Sequence, residues 1–133
     1  MRLYCYNFEV FITKELIVKK SRFVSHLIDL SHMKIENVNA EVKSIINNFK
    51  IKNKKASHVV YGFIYNKNNT EIIGFSDDKE PKNTAGKPIY ELLKLKNKNN
   101  LLIVIVRFYG GIKLGSGGLI KAYRQSANLL FSE

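Results

Sequence analysis

Hydrophobic and polar residues alternate with a period of two over the first part of the chain, which is typical of half-buried β-strands. The pattern predicts a first strand over residues 4–12 and a second over residues 16–30. The second strand is interrupted by the polar residues 19–22. Two strands so close in sequence indicate a sheet that begins at the N-terminal end of the chain.

The period then changes to that of a helix. Over residues 36–49 the apolar positions share one helical face, and they are Val38, Val42, Ile45, Ile46 and Phe49. A polar run at residues 50–55 predicts a loop. Residues 57–65 alternate again and predict a strand, followed by a hairpin turn at residues 66–69 and a returning strand over residues 71–75.

The C-terminal half shows one segment without any period and three with clear patterns. Residues 76–87 predict an ordered loop, and Pro88 suits the first position of a helix over residues 89–95. The continuous apolar run within residues 101–108 predicts a strand buried on both faces at the centre of the sheet. A last helix follows, with a predicted buried stripe of Leu119, Tyr123, Ala127 and Leu130.

These elements predict one mixed α/β domain spanning residues 1–133, without an internal repeat or linker. The N-terminus lacks the long apolar segment of a secretory signal, and the longest apolar run, residues 101–106, is too short to cross a bilayer. The single cysteine, Cys5, cannot form an internal disulfide. We therefore expect a cytoplasmic protein with no membrane partner.

The formal net charge of +11 favours a nucleic-acid partner. However, 18 of the 22 basic residues are Lys, and many lie in Asn- and Ile-rich stretches such as residues 47–55 and 94–100. Such a mixture is also typical of a compositional bias with a solvated lysine surface. Charge alone leaves both interpretations open.

A glycine-rich loop, residues 110–118, lies between the buried strand and the last helix. Its five glycines permit positive φ and close backbone approach, and the free N–H groups of the following helix favour an anion. It is neither a Walker A motif nor a GxGxxG motif, and the alternative is a tight connection with Ser116 as the helix N-cap. The candidate phosphate- or RNA-binding residues are Arg107, Gly110, Gly111, Lys113, Gly115, Ser116, Gly117, Gly118, Lys121 and Arg124.

A second candidate segment carries three carboxylates within four residues, 77–80. These groups are able to bind Mg²⁺ or act as a general base. The structural alternative is that they close turns and shape the entry to a helix, and this interpretation is favoured. The candidate residues of this loop are Ser76, Asp77, Asp78, Glu80, Thr84, Gly86 and Lys87.

The remaining chemistry-bearing residues form no recognisable motif. His26, His32 and His58 are scattered, and there is one cysteine, so no zinc site is expected. No Ser-His-Asp or Cys-His arrangement stands out. We predict no catalytic residue, no metal and no cofactor.

Four segments resemble the IMPACT family, whose bacterial members are called YigZ. The resemblance lies in residues 20–23, in residues 56–58 with Tyr61, in residues 76–88 and in residues 106–123. It implies a two-layer α/β sandwich of the kind found in the second domain of ribosomal protein S-five and in domain IV of elongation factor G. The GHMP kinases share that fold.

The resemblance also implies a connection to translation, because the eukaryotic member regulates translation during amino-acid starvation. The chain departs from the family pattern at Lys79, Lys82, Asn83 and Lys87, and of these Lys79 and Lys82 add positive charge beside the acidic loop. It shows neither the C-terminal ferredoxin-like domain of bacterial relatives nor the RWD domain of the eukaryotic one. The expected domain content is a single IMPACT-type domain.

Two functions of different classes follow from these observations. The first is a nucleic-acid- or ribosome-binding module in translation regulation. In a variant of this function, the module binds a protein partner in translation control. The second is an enzyme that acts on a phosphorylated small molecule or nucleotide through the glycine-rich loop. The enzyme requires a carboxylate of residues 77–80 within reach of an anion held by residues 115–118, in a concave pocket.

Overall fold

The computed structural model describes residues 8–132. Five strands form one antiparallel sheet in the order β1-β2-β5-β3-β4. Three α-helices pack against this sheet. The elements are β1 (Val10–Val18), β2 (Ser21–Asp29), α1 (Val38–Lys52), β3 (His58–Lys67), β4 (Thr70–Ser76), α2 (Gly86–Leu95), β5 (Leu101–Phe108) and α3 (Gly115–Leu129).

The first two strands differ from their predicted bounds. Positions 4–7 of the predicted first strand lie outside the described residues, and the remainder of that strand continues to Val18 instead of ending at residue 12. The predicted interruption near residues 19–22 is a two-residue hairpin turn, in which Lys19 and Lys20 have φ of 47° and 68°. The prediction was wrong because such turns are usually marked by Asn-Gly or Asp-Gly, and two lysines give no such signal.

The prediction of a central buried strand is confirmed. β5 pairs with β2 on one side and with β3 on the other. Its side chains alternate between two cores, with Ile103 and Ile105 in one and Leu102, Val104 and Val106 in the other. An apolar run is the expected sequence of a strand that has no solvated face.

Helices cover both faces of the sheet. The apolar face of α1 packs into one core, and α2 and α3 pack together into the other. The mixed α/β class is therefore confirmed, with three layers in place of the two that the resemblance implies. Helices cover both faces of the sheet because β3 and β5 have apolar side chains on both faces, and both faces must be shielded from water.

The remaining predicted elements are present with shifted ends. The helix predicted over residues 36–49 starts with a 3₁₀ turn at Ile35–Asn37 and ends three residues later, at Lys52. The predicted hairpin is confirmed, with Asn68 and Asn69 in the turn between β3 and β4. The predicted buried stripe of the last helix is confirmed at all four positions.

Two helix starts were predicted too late. Pro88 is the third residue of α2, because Gly86 and Ala85 already donate their N–H groups to the Asp77 carboxylate. Ser116 is the second residue of α3, and Leu114 occupies the N-cap position without a side-chain hydrogen bond. Within residues 8–132, no helix is both long and apolar enough to cross a membrane.

Candidate functional site

The two candidate segments meet at one cleft of about 520 Å³. The acidic loop contributes Glu80 and Pro81, and the glycine-rich loop and the start of α3 form the opposite side. The start of β3 and the end of β5 form the floor. The lining residues are Ser57, His58, Glu80, Pro81, Arg107, Tyr109, Lys113, Leu114, Gly115, Ser116 and Leu119.

The N-terminus of α3 is open at this cleft. Gly115, Ser116 and Gly117 are exposed, and no side chain caps the helix. The first N–H groups of a helix have no intrahelical acceptor and carry a partial positive charge. Lys113, which is also exposed and lines the cleft, adds a full positive charge beside them. This end of the cleft is therefore suited to an anion.

The N-terminus of α2 shows the contrasting arrangement. Oδ1 of Asp77 accepts hydrogen bonds from the backbone N–H groups of Ala85 (3.1 Å) and Gly86 (2.9 Å). Its Oδ2 accepts a further hydrogen bond from the N–H of Asn83 at 2.8 Å. An internal carboxylate thus fills the anion site of α2.

Asp78 also holds the loop in place. Its Oδ2 accepts a hydrogen bond from the backbone N–H of Val59 at 2.7 Å, and its Oδ1 lies 3.4 Å from Nζ of Lys50. Thr84 donates its hydroxyl to the carbonyl of Pro81, and the Ser76 hydroxyl accepts from the N–H of Asp78. These contacts agree with the interpretation that the acidic residues close turns and shape the entry to a helix. No metal-binding group of three or more His, Cys, Asp or Glu side chains occurs among the described residues.

Glu80 is the third carboxylate and lies in a buried polar cluster. Its side chain is 3% exposed, and its Oε2 accepts hydrogen bonds from the Arg107 guanidinium (2.7 Å) and from the Tyr123 hydroxyl. Burial, together with the hydrogen bond to Glu80, raises the pKa of the Tyr123 phenol far above its usual value, so this hydroxyl stays protonated and donates. Ser21 completes the cluster by accepting from Arg107 at 3.1 Å.

Arg107 therefore does not supply a free cation to the glycine-rich loop, as the sequence led us to expect. Its side chain is 6% exposed and its charge is paired with Glu80. The guanidinium also lies over the rings of Phe23 and Tyr109, at 5.4 and 5.5 Å from their centroids. Arg107 forms part of the cleft floor and holds Glu80 and Tyr109 in position.

His58 lies next to the free side of Glu80. Its Nδ1 is 2.7 Å from the backbone carbonyl of Asp78, and its Nε2 is 3.4 Å from Oε1 of Glu80. Since a carbonyl only accepts, Nδ1 carries the proton of that hydrogen bond. Nε2 of His58 and Oε1 of Glu80 lie side by side, and both residues line the cleft.

The glycines of the loop have different structural roles. A Cβ at Gly110 would lie 2.0 Å from the carbonyl oxygen of Lys20, so this position requires glycine. Gly111 and Gly115 have φ of 90° and 75°, which also favours glycine. Gly117 has open space around its Cα and no positive φ, so the fold does not require glycine there.

The other predicted site residues lie outside the cleft. Lys121 and Arg124 are exposed farther along α3, and Lys87 lies beside Tyr90 on α2. A Cβ at Gly118 would meet the Leu114 side chain at 3.2 Å, and a Cβ at Gly86 would clash with the backbone of Ser76. These two glycines thus serve packing.

Sequence reasoning missed the position of His58 at this site. It is 22 residues from Glu80 in sequence, and one isolated histidine gives no signal of its partner. Ser57 was missed as well; its hydroxyl accepts from the N–H of Tyr109 at 3.0 Å and so joins β3 to the glycine-rich loop. The Ala56–Ser57–His58 segment is one of the four that carry the resemblance.

Comparison with known proteins shows the family of this chain. Residues 19–131 match the profile of the Impact N-terminal domain. The chain is 36% identical over 114 residues to the IMPACT family member YvyE of Bacillus subtilis (strain 168), covering 86% of this chain and 49% of YvyE. It is 37% identical over 112 residues to YigZ of Escherichia coli (strain K12), covering 84% of this chain and 52% of YigZ.

A solved structure shares the fold. The crystal structure of a hypothetical protein aligns with a TM-score of 0.79 and 31% identity, covering 93% of this chain and 59% of the other. The chain spans about half the length of the curated relatives it matches. The profile match and the identities together show that this chain belongs to the IMPACT family.

Proposed function

We propose that this protein is an RNA- or ribosome-binding module with a role in translation regulation, and that the N-terminus of α3 is its phosphate-binding element. The observation that carries the proposal is the exposed, uncapped helix N-terminus, which opens onto a cleft beside Lys113. At the N-terminus of α2 the free N–H groups bind an anion that belongs to the chain, the Asp77 carboxylate. The uncapped N-terminus of α3 has the same kind of free N–H groups for an external anion.

The charge distribution supports an extended polyanion over a single small anion. The chain carries a net charge of +11, and Lys121 and Arg124 continue along the exposed face of α3 beyond the cleft. A phosphate held at Gly115–Gly117 would thus have neighbouring phosphates within reach of further cations. Contacts of this kind give affinity that falls steeply with salt and depends little on sequence.

Gly117 provides an independent argument. Glycine within a helix costs up to about 1 kcal/mol relative to alanine, and neither space nor φ requires it here. A glycine that the fold does not need permits close approach of a ligand to the backbone N–H groups. The position therefore fits direct contact between α3 and a phosphate.

The test is binding of a fluorescein-labelled single-stranded RNA, followed by anisotropy, and co-sedimentation with ribosomes, both at low and high salt. Lys113→Glu is expected to weaken RNA binding about tenfold and to reduce the salt slope by about 1. Lys43→Glu is the matched control, because Lys43 is an exposed lysine on α1, on the opposite face of the sheet. The control is expected to change affinity less than threefold.

Gly117→Ala separates binding from folding. The variant is expected to unfold at a slightly higher temperature, because alanine favours the helix, and yet to bind RNA more weakly. Equal loss of affinity in Lys113→Glu and Lys43→Glu would show that only net charge matters. Unchanged binding in both Lys113→Glu and Gly117→Ala would refute the assignment to α3.

A second candidate function is an enzyme that acts on a phosphorylated small molecule. The observation in its favour is that Glu80 lines the same concave cleft as Gly115 and Ser116, which is the geometry that such an enzyme requires. A thermal-shift screen with nucleotides, with and without Mg²⁺, tests it. Stabilisation by a free nucleotide, together with failure to bind RNA, would favour the enzyme.

A further inference from the structure

The two oxygens of Glu80 have different surroundings. Oε2 accepts from both Arg107 and Tyr123 and is fully occupied by the fold. Oε1 accepts no hydrogen bond from any described residue, and Nε2 of His58 lies 3.4 Å from it. That separation is longer than a well-formed N–H···O hydrogen bond. A carboxylate that is 97% buried thus keeps one oxygen without a hydrogen-bond donor at the cleft.

His58 presents a second acceptor beside this oxygen. Because Nδ1 carries the proton that is donated to the Asp78 carbonyl, the neutral ring has a bare lone pair on Nε2. Two acceptors 3.4 Å apart repel each other unless a donor lies between them. A ligand group with two N–H donors would satisfy both atoms directly.

The rest of the cleft restricts which ligand carries that group. The anion-binding end is formed by Lys113 and the first residues of α3, and the aromatic wall is Tyr109, which is 48% exposed. A volume of about 520 Å³ is within the range of small-ligand sites and is far too small for a duplex. One unpaired nucleotide has the phosphate, the flat ring and the polar edge that these three regions require.

We propose that the cleft binds one unpaired nucleotide of RNA whose base carries an exocyclic amino group. This proposal rests on the proposed RNA-binding function. The phosphate lies at the N-terminus of α3, the base stacks on Tyr109, and the amino group donates one hydrogen to Oε1 of Glu80 and the other to Nε2 of His58. Adenine, cytosine and guanine have such a group, whereas uracil has none, and its single N3–H donor is flanked by two carbonyl acceptors that the protein acceptors would repel.

The test compares ligands that differ by this group alone. Anisotropy is measured with ten-nucleotide oligomers of adenosine and of purine riboside, which lacks only the 6-amino group, and with an oligomer of uridine. The adenosine oligomer is expected to bind at least about tenfold more tightly than either of the others, since a site built to receive hydrogen bonds rejects a ligand that cannot donate them. This comparison uses the unaltered protein.

His58→Ala tests the protein side. The variant is expected to bind adenosine and purine riboside oligomers with affinities that differ less than threefold, while the salt dependence of binding is retained. His32→Ala, at an exposed histidine outside the cleft lining, is the matched control and is expected to keep the full discrimination. Circular dichroism confirms that both variants are folded.

The outcomes separate this inference from the proposed function. Salt-dependent binding that is equal for the three oligomers would overturn the base-reading site and leave RNA binding intact. Absence of binding to all three oligomers and to ribosomes would overturn the proposed function. Binding of adenosine monophosphate without binding of the oligomers would assign the cleft to a free nucleotide and overturn the assignment to RNA.

Discussion

Breaking the buried pair between Glu80 and Arg107 is expected to cost more stability than almost any other single change in the cleft. Both side chains are nearly inaccessible, at 3% and 6% exposed, and Nη1 of Arg107 lies 2.7 Å from Oε2 of Glu80. In Glu80→Gln the guanidinium keeps its charge and loses its counter-ion. The Tyr123 hydroxyl loses a charged acceptor at the same time.

The magnitude follows from these contacts. A hydrogen bond to a charged group contributes about 1.5–3 kcal/mol, and Oε2 accepts two of them. Removing one partner of a buried ion pair costs about 3–5 kcal/mol, because an uncompensated charge remains. We therefore expect Glu80→Gln to lower the free energy of unfolding by about 3–5 kcal/mol, a large share of the total for a domain of this size.

The assay is a double-mutant cycle measured by urea denaturation at pH 7, followed by circular dichroism. Arg107→Met is expected to be destabilised to a similar degree, because it leaves the carboxylate unpaired. The variant with both changes is expected to recover about 2 kcal/mol or more relative to the sum of the single changes, since neither charge then remains buried alone. Additive losses, or losses below about 1 kcal/mol in each single variant, would refute this account of the cluster.

Three further predictions concern the scaffold around the site. Burial lowers the pKa of His26 to about 4, so between pH 6.5 and 4 the unfolded chain binds a proton that the folded chain does not. The free energy of unfolding should therefore fall by about 2–3 kcal/mol as the pH is lowered over that range. In urea denaturation measured against pH, His26→Gln should remove this part of the profile. Gly110→Ala should lower the unfolding free energy by about 2–4 kcal/mol in urea titrations, because its Cβ would lie 2.0 Å from the carbonyl oxygen of Lys20, and an unchanged midpoint would contradict this. Lys20→Gly should raise the thermal midpoint by about 2–4 °C, because the residue has a φ of 68°; a lower midpoint in calorimetry would show that the lysine side chain itself stabilises the turn.

The part of the fold that could be predicted from sequence is the part that depends on local patterns. The apolar run of β5 indicated a strand with two buried faces, and the two asparagines at 68 and 69 indicated the hairpin turn. The Lys19–Lys20 turn has the same left-handed backbone, but a pair of lysines in the sequence does not indicate such a turn. Neither helix start was found, because one depends on a carboxylate eight residues upstream and the other has no side-chain cap.

The site depends on contacts between residues that are far apart in sequence. Arg107 is 27 residues from Glu80 and 86 from Ser21, and Tyr123 is 43 residues from Glu80. No spacing rule connects such positions, and for this reason Arg107 looked like a free cation of the loop. The enzyme hypothesis required the two loops to lie close together, whereas the buried pair and the neighbouring histidine could be found only from the structure.

Glu80 connects the stability of the domain to the chemistry of the cleft through its two oxygens. Oε2 accepts hydrogen bonds from Arg107 and Tyr123, and the ion pair with Arg107 fixes where Oε1 lies relative to His58. Tyr123→Phe removes one donor to Oε2 without changing any residue that lines the cleft, so it should reduce stability by about 1.5–3 kcal/mol and leave discrimination between adenosine and purine riboside intact. His58→Ala should leave stability nearly unchanged and remove the discrimination between adenosine and purine riboside. If instead both variants lost stability and discrimination together, Oε1 would owe its position to the whole cluster, and the cleft would not be separable from the core beneath it.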